Sequence, residues 1–267
     1  MSSVKAVFVL PARVILTAWG FLQFAGQVLW LGKWQMPRLI RKGGDAVAQR
    51  KKAIYTAHRH VDFYLQTLSA LDLVKFHFEG TPSQQPCVLV ANHPSLLDFI
   101  VFLKDFPNAV CLYKSQSLDN PVLSSFVQVA GYIEGMDGTS NASKRVIAAC
   151  CERLQEGHHV AIFPEGTRSG SATDVRRFRT TGFHAAIRSR VAVQPVAIHC
   201  RPLFLGKNQR WAEFSRQTNH MTIRYLDPVL PGDLPVNRQT AAGLAEVART
   251  QICAALASME PASVTSG

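Results

Sequence analysis

The chain has 267 residues with 47% hydrophobic content, which suits one α/β domain with an appendage. Its 29 Lys and Arg against 18 Asp and Glu leave a formal charge of +11. That balance points to an anionic partner: an acidic lipid surface, a phosphorylated substrate or nucleic acid. Six cysteines (Cys87, Cys111, Cys150, Cys151, Cys200, Cys253) contain no C-x-x-C pair, several sit in apolar runs, and they read as buried, reduced thiols of a cytosol-facing protein.

In chain order, Val14 to Gly32 comes first, a stretch of 19 residues without a charge. As a helix it would extend about 28 Å, close to the thickness of a hydrocarbon core. Trp19, Trp30 and Trp34 suit the membrane interface. Gln23 and Gln27 weaken a full crossing, and Pro11 is placed to kink the start, so a helix or hairpin lying in one leaflet competes with a span. A cleaved signal peptide fits less well, because no clear small-residue cleavage site precedes the basic cluster. Lys33, Arg38, Arg41, Lys42, Arg50, Lys51 and Lys52 follow, against Lys5 and Arg13 upstream, so the positive-inside rule puts the remainder on the cytoplasmic face of the cell membrane. The same cluster would hold anionic headgroups. Residues 1–44 therefore read as a membrane-associating helical segment, residues 45–260 as the α/β domain, and residues 261–267 as a frayed tail.

Gly43-Gly44 breaks the chain, and Asp45 to about Leu71 reads as a long helix with Ile54, Ala57, Val61, Leu65, Leu68 and Leu71 along one stripe. His58 and His60 fall on different faces and lack a ligand set. A βα alternation then begins. Val74 to Phe78 alternates as a half-exposed strand, and Cys87-Val88-Leu89-Val90-Ala91 is an apolar run suited to a strand covered on both faces.

At the end of that run stands Asn92-His93-Pro94-Ser95-Leu96-Leu97-Asp98. Pro94 fits the first turn of a helix, and Asp98 one turn on would return toward His93. A histidine and a carboxylate would then meet at the carboxyl end of a buried strand, where open α/β sheets bind ligands. The carboxylate would fix the ring's tautomer and stabilise the imidazolium. The plainer alternative is a capping histidine beside a solvated first-turn acid.

Helix from Leu96 to Leu103, strand from Ala109 to Tyr113 ending in Lys114, helix from Pro121 to Val129 and a short strand at Gly131 to Gly135 come next. Ser140 can cap a helix reaching Glu156, with Gly157 as its stop. Val160-Ala161-Ile162-Phe163 is another buried strand, followed by Pro164-Glu165-Gly166-Thr167-Arg168-Ser169. Gly166 permits close approach or positive φ, and Arg168 offers a planar fork for phosphate or carboxylate. A helix near Phe183 to Arg190, strands at Val191 to Cys200 and Met221 to Leu226, and a closing helix from Ala241 to Ser258 complete the pattern. The fold class is α/β, a mixed and largely parallel sheet flanked by helices on both faces.

The two polar blocks, about 70 residues apart, together resemble the signatures of the glycerolipid acyltransferase family, typified by 1-acylglycerol-3-phosphate acyltransferases. Asn92 to Asp98 matches the family's His-x4-Asp motif, and Phe163 to Ser169 its Phe-Pro-Glu-Gly-Thr-Arg-Ser motif without a substitution. Val193 to Ile198 fits a hydrophobic block with proline, and Phe178-Arg179-Thr180-Thr181-Gly182 stands where a Phe-Lys-x-Gly-like loop often lies. The second block departs: Gly131-Tyr132-Ile133-Glu134-Gly135-Met136-Asp137 has acids where an arginine is common.

The resemblance implies acyl transfer from acyl-CoA or acyl carrier protein to a lysophosphatidate-type hydroxyl, with His93 as general base and Asp98 orienting it. Asn92, Ser95, Lys114, Glu165, Gly166, Thr167, Arg168 and Arg179 would contact substrate. No cofactor and no metal is expected beyond the co-substrate, and membrane phospholipids and a lysolipid are the expected partners. Backbone N–H groups from Pro94 to Leu96 are the expected oxyanion donors. The acidic second block favours another acceptor, a lyso-aminolipid, a glycolipid or a pigment headgroup. A non-catalytic membrane-binding protein on the same scaffold is the reading from another class. Ser95 as a nucleophile lacks a Gly-x-Ser-x-Gly elbow. Residues 138–144 lack the second glycine of a phosphate loop, and His158-His159 reads as a strand entrance. The arginines at 176, 177, 179, 188 and 190 come without a recognition module or stacking aromatics, so nucleic acid is not expected.

Overall fold

The computed structural model describes residues 2–113, 121–135, 141–171, 173–207, 209 and 216–259, with the side chains of 2–11, 121–123 and 125 set aside. Among the described residues the strands β1 (Val74–Glu79), β2 (Val88–Ala91), β3 (Ala109–Tyr113), β4 (Ile133–Glu134), β5 (His159–Ile162), β6 (Val193–Arg201) and β7 (Asn219–Tyr225) form one sheet. Their order is β1-β7-β6-β2-β5-β3-β4. Every neighbouring pair is parallel except β6 with β7. This is the mixed, largely parallel sheet that the strand and helix alternation implies.

The central strands are buried on both sides, so their side chains read as continuous apolar runs. Val88 and Val90 enter the core on one face, together with Val160, Ile162 and Val193. Leu89 and Ala91 enter the other with Ala161, Val196 and Ile198. The first face is covered by α6 (Ala142–Gln155), α7 (Thr181–Ser189) and α8 (Ala241–Met259). The second is covered by α3 (Ala46–Ala70) and α4 (Asp98–Asp105). The edge strand β1 is buried only at Val74, and its later residues alternate between exposed His77 and Glu79 and half-buried Phe76 and Phe78.

The N-terminal region is a helical hairpin. Helix α1 (Ser2–Trp30) runs through Pro11, a five-residue π-helical turn covers Leu31–Gln35, and α2 (Met36–Arg41) follows. Gly43 and Gly44 have positive φ, and α3 then starts with the Asp45 carboxylate accepting from the Ala48 N–H at 2.8 Å. Helix α1 lies along α3: the Gln23 amide donates to the Thr67 hydroxyl at 3.0 Å, and the Phe24 and Tyr64 rings sit 4.9 Å apart. The opposite side of α1 is bare, with Ile15, Trp19 and Leu22 more than half exposed. Farther along, Arg50 of α3 and Arg153 of α6 both grip the Glu156 carboxylate, tying the hairpin to the helices beyond the sheet.

One local expectation changes. Pro94 stands in the loop before α4, which begins only at Asp98 after a turn over Ser95 to Leu97. The Asp98 carboxylate reaches back to accept the Ser95 N–H at 2.9 Å, as the third residue of a capping box does, and closes the turn ahead of the helix. Ser140 lies outside the described residues, and α6 starts after Asn141.

Candidate active site

Strand β2 ends at Ala91, and the next residue is fixed by a false rung of sheet. The Asn92 side chain donates to the Ile198 carbonyl and accepts the Ile198 N–H, both at 2.8 Å. This extends β2 against β6 by one position and sets where His93 leaves the sheet. Asn92 is 1% exposed, so its amide works inside the fold.

His93 Nδ1 lies 2.7 Å from Asp98 Oδ2. The imidazole is partly open, and the carboxylate is fully buried. Phe163, at the end of β5, stacks on the ring with centroids 4.2 Å apart. Phe102 of α4 stacks on the far side of Phe163 at 5.8 Å. The ring is thus held by a carboxylate at one nitrogen and an aromatic face beneath, while Nε2 has no partner among the described residues. Burial pushes the Asp98 carboxyl up to about 6, against the opposing pull of hydrogen bonds from His93 and Ser95. Its Oδ1 is buried with no partner among the described residues, which explains why burial wins.

Glu165 fastens the two loops together. Its Oε1 accepts the His93 N–H at 3.1 Å and the Ser169 hydroxyl at 2.8 Å, and Oε2 accepts the Arg176 N–H at 3.2 Å. The Ser169 N–H returns a bond to the His93 carbonyl at 2.7 Å. Gly166 has φ +71, and a Cβ there would come within 2.8 Å of the Arg179 guanidinium, so the exposed Arg179 lies flat against a glycine. Thr167, beside them, is half-buried.

A third loop, 202–206 after β6, closes the site, and nothing in its sequence announces it. The Ser95 hydroxyl, wholly buried, donates to the Phe204 carbonyl at 2.7 Å and accepts the Leu97 N–H at 3.1 Å. Arg168 Nη1 donates to the carbonyls of Leu205 and Gly206, both at 2.9 Å. Its Nε and Nη2 have no partner among the described residues. The Leu96 N–H also reaches the Leu205 carbonyl, at 3.3 Å.

These bonds bear on three readings of the sequence. The Ser95, Leu96 and Leu97 N–H groups are all occupied within the protein, and Pro94 has none, so the turn offers no free oxyanion donors. The Ser95 hydroxyl is enclosed and engaged, which removes it as a nucleophile. Asn92, Ser95 and Glu165 shape the loops through bonds inside the fold. Lys114 lies outside the described residues.

Burial pushes the Cys87, Cys150 and Cys200 thiols up to about 12, which makes those three poor nucleophiles. His58 is taken up by the Leu103 carbonyl at 2.6 Å. Fold and site together define an α/β protein with a histidine and a buried carboxylate poised at the carboxyl edge of its sheet.

Residues 73–199 match the family model described as Acyltransferase. That stretch holds both motifs, and it is similar to the acyltransferase family, as the motifs imply. It is 28% identical over 189 residues to a lyso-ornithine lipid O-acyltransferase of Pseudomonas aeruginosa, covering 71% of this chain and 69% of that one. It is 30% identical to a 1-acyl-sn-glycerol-3-phosphate acyltransferase of Neisseria meningitidis, a match spanning 58% of either chain. The crystal structure of the 1-acyl-sn-glycerophosphate acyltransferase PlsC from Thermotoga maritima superposes with a TM-score of 0.73 at 19% identity, over 94% of this chain and 97% of that one, which establishes the shared fold.

Proposed function

We propose that this protein is a membrane-associated O-acyltransferase that moves a fatty acyl group from a thioester, acyl-CoA or acyl carrier protein, to a lysolipid hydroxyl. The observation that carries the reading is the 2.7 Å contact of His93 Nδ1 with the buried Asp98, which leaves Nε2 outward as the base. Nε2 takes the hydroxyl proton as the lipid oxygen attacks the thioester carbonyl. Asp98 holds the ring in the tautomer with its proton on Nδ1 and offsets the imidazolium. The tetrahedral intermediate expels the thiolate, which recovers the proton from His93. The substrate hydroxyl is itself the nucleophile, so no acyl-enzyme forms.

An apolar cavity of about 260 Å³, walled by residues including Phe24, Val28, Val61, Phe99, Ile100 and Leu103, supports a place for the donor's acyl chain. Phe99 and Ile100 directly follow Asp98 in sequence. A lysolipid can leave its own chain in the bilayer, whereas a water-soluble thioester must shelter its chain in protein.

The hairpin supports docking in one leaflet. Its bare face carries Ile15, Trp19, Leu22, Trp30 and Trp34 on α1 and the turn after it, with Tyr55 and Phe63 on α3. A span by α1 would carry its packed partner α3 into the hydrocarbon, and α3 bears Arg50, Lys51, Lys52, Arg59 and Asp62. Lying in the interface, the same residues meet headgroups. The basic cluster favours the cytoplasmic face.

The acceptor is lysophosphatidate-like on the first reading, after the name of the Neisseria relative, with Arg168 Nη2 and Nε available to an anion. A second reading, a zwitterionic lyso-aminolipid, is favoured by the exposed Glu134 on β4 where the family commonly has an arginine. The name of the Pseudomonas relative agrees with it. The test is an acceptor competition: purified protein, labelled acyl-CoA or acyl carrier protein, and lysophosphatidate with lyso-ornithine lipid in mixed micelles. Labelled diacyl product accompanied by thiol release is expected. Absence of labelled lipid from both acceptors with both donors would reject the assignment, and the product ratio decides between the readings.

A further inference from the structure

The cavity beside α4 is less uniform than an apolar slot should be. Among residues such as Phe24, Val28 and Phe99, it is also lined by Gln27 of α1 and Tyr132, which follows α5 (Pro121–Ala130). The Gln27 amide nitrogen and the Tyr132 hydroxyl are both buried, and neither has a hydrogen-bond partner among the described residues. Buried polar groups are paired in nearly all folded proteins, so two orphans lining one cavity call for an occupant. Neither group can easily turn away. The Tyr132 ring is pinned edge-on by Phe99 at 5.4 Å and Phe126 at 5.1 Å, which fixes the direction of its hydroxyl. Burial also keeps the phenol neutral, hence a hydrogen-bond donor as well as an acceptor.

We propose that this cavity selects an acyl chain bearing a hydroxyl partway along its length, with Gln27 and Tyr132 as the specificity-determining residues. The inference rests on the reading of the cavity as the acyl-chain pocket and adds the chemistry of the chain. A plain hydrocarbon would fill the space, exclude water and leave both groups unpaired. A hydroxyl both donates and accepts, so it can satisfy an amide edge and a phenol together. A cavity of about 260 Å³ accommodates on the order of nine chain atoms, taking roughly 30 Å³ for each water-sized group, so the matching oxygen falls within that length of chain.

The test compares full-length enzyme on acyl-CoA donors of one length, with the hydroxyl walked along the chain and with none, against a fixed lysolipid acceptor. The wild type should favour one hydroxylated donor in kcat/KM by on the order of tenfold, the scale of one buried group regaining its partner. Tyr132→Phe and Gln27→Leu should each erode that preference, and the double variant should favour the plain chain. Gln27 lies on a partly exposed helix face, so Gln27→Leu remains informative should Tyr132→Phe fail to fold. A wild type indifferent to the hydroxyl at every position would overturn the proposal and assign a bound water to the two groups. So would a preference that survives in Gln27→Leu or in the double variant. Val28→Phe separates this from the reading beneath it. Narrowing the cavity should shift both donor classes toward shorter chains. A shifted length profile without hydroxyl preference removes only the present inference, and an unmoved profile removes the acyl-chain pocket as well.

Discussion

The turn around His93 and the N-terminal hairpin break the same rule in opposite directions. Around His93, polar side chains are buried: Asn92, Ser95, Asp98, Glu165 and Ser169 are each no more than 5% exposed. On the hairpin, large apolar side chains face outward, among them Trp19, Trp34 and Phe63. Polar groups inside and apolar groups outside both carry free-energy penalties unless something compensates. In the turn the compensation is internal, because Asn92, Ser95, Glu165 and Ser169 are all hydrogen-bonded within the protein. On the hairpin nothing among the described residues covers these side chains, and under the proposed function a lipid surface does so. Burial of polarity therefore marks scaffolding as readily as chemistry, and what distinguishes His93 is its vacant nitrogen.

The sharpest way to break this contrast is to remove that nitrogen. His93→Ala should lower kcat by about 10²–10⁴-fold while leaving the melting temperature close to wild type, since general-base catalysis contributes on that scale and the ring is partly open. Turnover retained in acyl-CoA thiol-release assays would remove His93 as the base. Asp98→Asn should approach the same loss, and it also tests the sign of a buried charge. The Asp98 carboxyl, raised by burial to about 6, is protonated below that pH and can no longer offset an imidazolium, so wild-type turnover should fall as the pH drops through about 6. Stability should run the other way. A carboxyl held higher in the folded than in the unfolded chain costs stability when ionised, and that cost disappears in acid. Asp98→Asn should thus gain more in melting temperature at pH 8 than at pH 5, and an equal gain at both would contradict a buried, ionisable Asp98.

Next in size is the clasp. Glu165→Gln keeps the shape but turns an amide NH2 toward groups that donate, from His93, Ser169 and Arg176. A loss of roughly 2–3 kcal/mol in denaturant unfolding is expected. KM should change less than kcat, because the displaced element is the His93 loop. A substrate-contacting Glu165 would instead raise KM with stability unchanged.

What could be read from the sequence follows the range of the interactions involved. The buried strands, the βα alternation and the two motif loops are local patterns, and all appear where periodicity and turn residues put them. The helix after Pro94 starts later than its proline suggests, because the Asp98 carboxylate closes the turn first. The loop at 202–206 was not legible, although it receives bonds from Ser95, Leu96 and Arg168, because backbone carbonyls accept without any sequence signature. Phe163 was legible as the end of a strand but not as the platform under His93, a contact that depends on β2 and β5 lying side by side. Nor could the packing of α1 on α3 be foreseen, although Gln23, which seemed only to spoil a span, turns out to bond Thr67.

The smallest effect belongs to the hairpin, where single residues share the work. Trp19 and Trp34 are each more than half exposed, and a tryptophan moved from water into an interface gains on the order of 1–2 kcal/mol when half its surface is already covered. Trp19→Ala or Trp34→Ala alone should therefore weaken binding to anionic vesicles by about tenfold, and together by more. Thiol release in detergent micelles should stay close to wild type. Raising the salt should weaken binding further through Lys33, Arg38, Arg41 and Lys42, since screening acts on the charges and leaves the apolar term. If both substitutions leave vesicle binding unchanged, the exposed face is not the docking surface. The contrast with the His93 turn then loses one side, because apolar exposure would no longer point to an environment other than water.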